Sequence, residues 1–177
     1  MKKSKENFAE IIFDLFTDSS EFLRMAEINE DETDVCQRFC RASILASWAG
    51  FEAWINKTCV DFANNDNKLT LLERALLLER RVNFEHGVFS ISNSIKYESV
   101  ENRLEFLIAK YGKQKIRKNT PQWNRFKESK KIRDSITHPK VQSQTFVDIV
   151  EAKDNLHVLK HYLKFASKQI YNKIPSF

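Results

Sequence analysis

From Val35 to Phe62 apolar residues recur at helical spacing through Phe39, Trp48, Phe51, Ile55 and Cys59, and the middle of the run, Ala42 to Ala53, is almost entirely small or apolar. A helix that is apolar nearly all round can hide its surface only at the centre of a bundle. Ala46, Ser47, Ala49 and Gly50 would let neighbouring backbones approach it closely. Those neighbours must be helical too, because three Gly and three Pro are too few turn signals for many short strands. The predicted fold class is all-α, a helical bundle of about five to six helices in one domain spanning 1–177. Fourteen Phe, together with Leu, Ile and Trp, supply its core.

The other elements follow from stripes and caps. Phe8, Ile11, Ile12, Leu15, Phe16, Phe22, Leu23 and Ala26 predict a first helix from about Lys5 to Glu27. Thr33 or Asp34 caps the long second helix, which ends in Asn64-Asn65-Asp66-Asn67. Thr70-Leu71-Leu72-Glu73 is a capping box, and the helix it opens is predicted to run to about Phe84 and end before Gly87. Val88 to Glu98 alternates apolar and polar residues briefly; a structured loop is expected there in preference to a hairpin arm. Ser99 caps a fourth helix carrying Val100, Leu104, Leu107, Ile108 and Tyr111. Thr120-Pro121 opens a fifth, with Trp123, Phe126, Ile132 and Ile136 inward, that stops at His138-Pro139. Thr145-Phe146-Val147-Asp148 opens the last, whose stripe is Ile149, Leu156, Leu159, Leu163, Ala166 and Ile170.

Cys36, Cys40 and Cys59 are odd in number and lie in one apolar segment without metal-ligand spacing, so they read as reduced core thiols. Met1-Lys2-Lys3-Ser4-Lys5 is basic but leads into no signal-peptide core, and no run is long enough to span a membrane. The expectation is a cytoplasmic protein with no membrane partner.

Charge is unevenly placed. Between Lys110 and Lys140 eleven Lys or Arg face two acids, Glu128 and Asp134, whereas the whole chain carries +5, so the remainder is net acidic. A directed positive field of this kind suits a polyanion such as RNA. Lys113, Lys115, Arg117, Lys118, Lys130, Lys131 and Lys140 are the candidate phosphate contacts.

Within that segment Lys131-Ile132-Arg133-Asp134-Ser135-Ile136-Thr137-His138-Pro139 gathers the chemistry. Pro139 pushes His138 out of the α region, freeing it to fold back toward Arg133 and Asp134. Arg offers a planar, permanently charged fork for phosphate oxygens, and His exchanges protons near neutral pH. The pair suits RNA cleavage: the ribose 2′-OH attacks the adjacent phosphorus, an imidazole moves protons and a cation offsets charge building on the phosphate oxygens. In principle this chemistry needs no metal and no cofactor.

The Arg-polar-x-x-x-His arrangement Arg133 to His138, closing a helix, resembles the HEPN superfamily, and Ser47-Trp48-Ala49-Gly50-Phe51-Glu52-Ala53-Trp54-Ile55-Asn56 looks like that family's central helix. Many HEPN proteins are metal-independent endoribonucleases, often toxins or defence factors, that act as homodimers with both Arg/His motifs facing a shared cleft; others only bind RNA, nucleotides or partners. The resemblance implies Arg133 and His138 as the catalytic pair, Asp134 beside them, Thr137 and Glu52 in support, a homodimer, and an antitoxin as a further partner. The residue after the Arg is commonly Asn in the family; a carboxylate at Asp134 either orients His138 or neutralises Arg133. The competing expectation is a catalytically silent HEPN-like module that binds RNA or nucleotide, or dimerises. Glu52 also reads as the partner of a Lys or Arg at the edge of the core.

Two other patterns compete less well. Arg81-Val82-Asn83-Phe84-Glu85-His86 repeats the spacing, but its second residue is apolar and it lies outside the basic segment, so it is read as a decoy. His157 and His161 are four apart on the last helix without a third ligand at a recognised spacing.

Overall fold

In the computed structural model the described residues are 8–140 and 146–175. Six helices and one two-stranded sheet are present among them: α1 (Phe8–Ile28), α2 (Thr33–Asn65), α3 (Leu71–Leu77), β1 (Arg80–Glu85), β2 (Val88–Ile95), α4 (Val100–Tyr111), α5 (Pro121–Thr137) and α6 (Ile149–Tyr171). The fold is mostly α, with a hairpin where sequence reasoning placed a helix end and a loop. Thr145, read as part of the opening of α6, lies outside the described residues, and Asp148 is the cap that forms.

The chain divides into two compact units, residues 1–51 with 117–177 and residues 52–116. In the first, α1 buries Ile12, Phe16, Ser19, Leu23 and Ala26 along one face. Gly50 accepts α1 closely, since a Cβ there would stand 3.1 Å from the Phe16 ring and 3.2 Å from the Leu15 Cβ. Small residues on this helix serve packing, as their sequence suggests. A polar clasp lies on the same α1–α2 seam: Ser19 Oγ donates to the Ser43 carbonyl at 2.9 Å and Ser43 Oγ donates to the Ser19 carbonyl at 2.8 Å. Gln37 docks the strand-like approach to α6, its amide donating to the Val147 carbonyl at 2.6 Å while its oxygen accepts from the Val147 N–H at 2.9 Å. Both buried backbone groups are thereby satisfied.

The centre of this unit is aromatic. Phe126 stands 5.6 Å from Trp48, 5.6 Å from Phe51, 5.2 Å from Trp123 and 4.8 Å from Tyr162, centroid to centroid. Leu159, Leu163 and Ala166 of α6 close it. Burial pushes the Tyr162 hydroxyl up to about 12.

The unit 52–116 packs Ile55, Cys59 and Ala63 of α2 with Leu104, Leu107 and Ile108 of α4. Arg103 is buried among them because its guanidinium has partners: Nη1 donates to Asn56 Oδ1 at 2.7 Å and lies 3.2 Å from Glu79 Oε2. Phe62 stacks on Tyr111 at 3.8 Å, and the Tyr111 hydroxyl donates to Asp66 Oδ2 at 2.8 Å. All three cysteines are buried free thiols, and burial pushes Cys59 up to about 12.

The third helix is shorter than its pattern predicts. The capping box at Thr70 and Glu73 forms, but α3 stops at Leu77 and Glu79 enters the left-handed region at φ 51°. From there Val82 and Phe84 alternate with Arg81, Asn83 and Glu85, and the segment pairs antiparallel with Val88–Ile91. The turn explains the outcome: His86 (φ 52°) and Gly87 (φ 80°) both have positive φ, as a type I′ two-residue hairpin loop requires. Gly87 therefore turns a hairpin and does not cap a helix. The region read as a loop, Val88–Glu98, holds β2.

Glu73 gives the fold a testable pH dependence. Its hydrogen bond from Lys110 Nζ at 2.7 Å, then that from the Thr70 backbone N–H, hold its carboxyl at about 2 against an ordinary 4.5. A depressed folded-state value stabilises fully above the unfolded value and is lost as pH falls through the folded one. Glu73→Gln should lower the melting temperature at pH 7, and the gap to the parent should narrow steadily below pH 4.5. A gap of constant size from pH 7 to pH 3 contradicts this role.

Candidate functional site at the end of helix 5

Helix α5 begins on Thr120, whose hydroxyl accepts from the Trp123 N–H at 3.2 Å, with Pro121 at the first helical position. Its buried residues are Trp123, Phe126 and Ser129. Beyond Ser129 the helix rises out of the core: Ile132 and Ile136, expected inward, are only half-buried. The chemistry-bearing residues thus sit on the last two turns, at the surface of the first unit.

What holds those turns is a buried polar network. Trp48 Nε1 donates to Ser129 Oγ at 3.1 Å and to Asn155 Oδ1 at 3.0 Å, Ser129 Oγ donates to Asn155 Oδ1, and Asn155 Nδ2 donates to Ser47 Oγ at 2.8 Å. Ser47 passes its own proton to the Ile44 carbonyl at 2.9 Å. One side chain each from α5 and α6 and two from α2 are fixed in a mutually satisfied cluster. Above it the Arg133 guanidinium carbon lies 5.2 Å from the Trp48 ring centroid, a cation–π contact, and Nη1 lies 3.0 Å from Asp134 Oδ1. Arg133 is about one-fifth exposed and Asp134 about two-fifths.

His138 closes the helix. Its N–H donates to the Asp134 carbonyl at 2.9 Å, and its φ of −133° and ψ of 61° lie outside the α region, the displacement that Pro139 imposes. The imidazole is exposed and lines an open hollow of about 700 Å³ together with Asp134, Ser135, Ile132 and Glu128. Lys131 and Lys140 complete its lining. Arg133 is not part of that lining; it occupies the flank, against Trp48. Asp134 belongs to both, paired with Arg133 and exposed to the hollow that holds His138. The arrangement offers an imidazole, a carboxylate and two ammonium groups on one open surface, with a held guanidinium beside it.

The remaining candidates are placed variously. The Thr137 hydroxyl bonds the Arg133 carbonyl at 3.1 Å and the Asp134 carbonyl at 3.3 Å, a helix-end contact. Lys130 lies 3.6 Å from Asp134 and Lys131 2.9 Å from Glu128. Arg117 and Lys118 are exposed in the same unit. Glu52, Lys113 and Lys115 fall in the unit 52–116, Glu52 half-buried on α2 and the two lysines exposed after α4. The decoy pair is on the hairpin, with Arg81 on β1 and His86 in the turn. Burial, then His157, lowers the His161 imidazole, and no cluster of three or more His, Cys, Asp or Glu suited to a metal occurs among the described residues. No helix among them is long and apolar enough to cross a membrane.

Sequence reasoning missed Asn155 and gave Trp48 and Ser129 no role at the site. A signal existed, for Ser129 and Asn155 lie on the buried faces of their helices, where a polar side chain needs a partner. Asn155→Ala should cost about 1–3 kcal/mol, the penalty of stranding buried donors and acceptors, read as a lowered denaturation midpoint. An unchanged midpoint contradicts the network's role. Comparison of the chain with family models, with curated proteins and with solved structures gives no match.

Proposed function

We propose that this chain is a HEPN-like, metal-independent endoribonuclease that cuts RNA with His138 and Arg133, acting as a homodimer in which two such sites face one cleft. The observation that carries the reading is the helix end itself: an Arg held by Trp48 and Asp134, and a proline-displaced His in an open hollow with Lys131 and Lys140. In the proposed reaction the 2′-oxygen of a ribose bonds to the adjacent phosphorus and the bond from phosphorus to the 5′-oxygen breaks. His138 moves the proton from the 2′-OH toward the leaving oxygen, and Arg133 offsets the charge that builds on the phosphate oxygens. Asp134 positions Arg133 through their ion pair. By resemblance a toxin or defence role, with an antitoxin as partner, follows from such an activity.

A second reading has its own observation. Because the Arg133 guanidinium faces Trp48 and Asp134 and does not line the hollow, the same surface suits a silent module that holds an RNA or nucleotide phosphate on Lys131, Lys140 and His138 without cutting it.

Kinetics separate the two. His138→Ala and Arg133→Ala should each lower single-turnover cleavage by about a hundredfold or more, with melting nearly unchanged for the exposed His138. His86→Ala should cut like the parent, and EDTA should not inhibit. A His138 variant as active as the parent removes the residue from the reaction. Binding is tested apart from cleavage: reversing Lys115, Arg117 and Lys118 together should weaken RNA affinity and flatten its salt dependence, because fewer counterions are released. An unaltered salt slope takes those cations out of the site.

A further inference from the structure

The hairpin in the unit 52–116 leaves one edge open. The sheet has two strands among the described residues, so β2 has no ladder partner on the side away from β1. Edge strands are ordinarily blunted by charge or proline. Val-Phe-Ser-Ile-Ser-Asn-Ser-Ile, the whole of β2, has neither, whereas β1 carries Arg80, Arg81 and Glu85. The register breaks between Arg80 and Val82, at the base, and leaves Val88–Ile91 regularly paired.

The hairpin also presents an apolar face. Val82 pairs with Ile91 and Phe84 with Phe89, and in antiparallel pairs opposed residues point to the same side. The Phe84 and Phe89 rings touch at 4.7 Å between centroids, yet they remain 62% and 64% exposed, with Val88 at 64% and Ile95 at 53%. These four side chains leave on the order of 500 Å² of apolar surface in water. Two such hairpins together reach on the order of 1,000 Å², the area a specific interface needs. A two-stranded hairpin is by itself marginally stable and gains from further strands. An RNA-stacking arm would interleave its aromatics with Lys or Arg; β2 carries none.

We propose that β2 pairs antiparallel with β2 of a second copy of this chain, forming a four-stranded sheet across a two-fold axis. The apolar faces coincide when Phe89 lies opposite Ile91 of the second copy, an aromatic to β-branched pair, and that register sets Ser90 opposite its own symmetry mate. The contact is independent of the reading of Arg133 and His138.

The test uses the full chain. Sedimentation velocity across the micromolar range should show a dimer for the parent, with Phe89→Asp raising the dissociation constant at least about tenfold while circular dichroism stays unchanged. Oxidised Ser90→Cys should cross-link to a dimer on a non-reducing gel, the three native thiols being buried. A monomeric parent overturns the proposal. So does a dimer that survives Phe89→Asp without cross-linking at Ser90→Cys, since it must form elsewhere. A monomeric parent whose RNA affinity falls in Phe89→Asp assigns the arm to nucleic acid instead.

Discussion

Trp48 carries the Arg133 guanidinium over its ring and gives its indole N–H to Ser129 and Asn155, so a single buried side chain joins the middle of α2 to α5 and α6. The ring is 1% exposed and sits in the aromatic cluster with Phe51 and Phe126, where its orientation is fixed by packing as well as by hydrogen bonds. That fixes the height and rotation of the last buried turn of α5, and with them the direction in which Arg133, Asp134 and His138 leave the core. A rigid second layer of this kind is what holds a reactive surface within the tolerance that proton transfer and charge stabilisation demand.

The charges above that layer are arranged in sequence along the helix end. Arg133 meets Asp134 at 3.0 Å, Asp134 opens on the hollow, and His138 reaches the same hollow because Pro139 ends the helix one residue later. The carboxylate is the element on which the two readings divide. If it holds Arg133 for an incoming phosphate, the helix end is a cleavage site; if it neutralises the guanidinium, Lys131 and Lys140 dominate and the surface binds without cutting. The lysine-rich rim serves either function, since phosphate contacts position a nucleic acid whatever follows.

Elements whose caps and stripes agree are legible in the sequence. Thr70 with Glu73, Ser99 and Thr120-Pro121 start α3, α4 and α5 where their side chains cap the first turn. Leu104, Leu107 and Ile108 on α4, and Leu156, Leu159 and Leu163 on α6, are buried as their spacing requires. The hairpin was not legible, for two local reasons: Val82 and Phe84 continue an apolar pattern that a short helix also satisfies, and His86 is an uncommon partner for Gly87 in a type I′ turn. At the site, the helix end and the displacement of His138 follow from Pro139 alone. The orientation of Arg133 toward Trp48 does not, because it depends on how α2 and α5 pack and on two polar residues, Ser129 and Asn155, whose partners lie 81 and 107 positions away in Trp48.

The chemistry of the ends left on a cut RNA tests the central claim most directly. Purified protein incubated in EDTA with an RNA oligonucleotide, its products read by mass spectrometry, should yield fragments ending in a 2′,3′-cyclic phosphate and beginning with a 5′-hydroxyl, and the same oligonucleotide with 2′-deoxyribose throughout should remain whole. Fragments carrying a 5′-phosphate, cleavage of the deoxy strand, or intact RNA at every protein concentration contradict attack by the 2′-oxygen at Arg133 and His138.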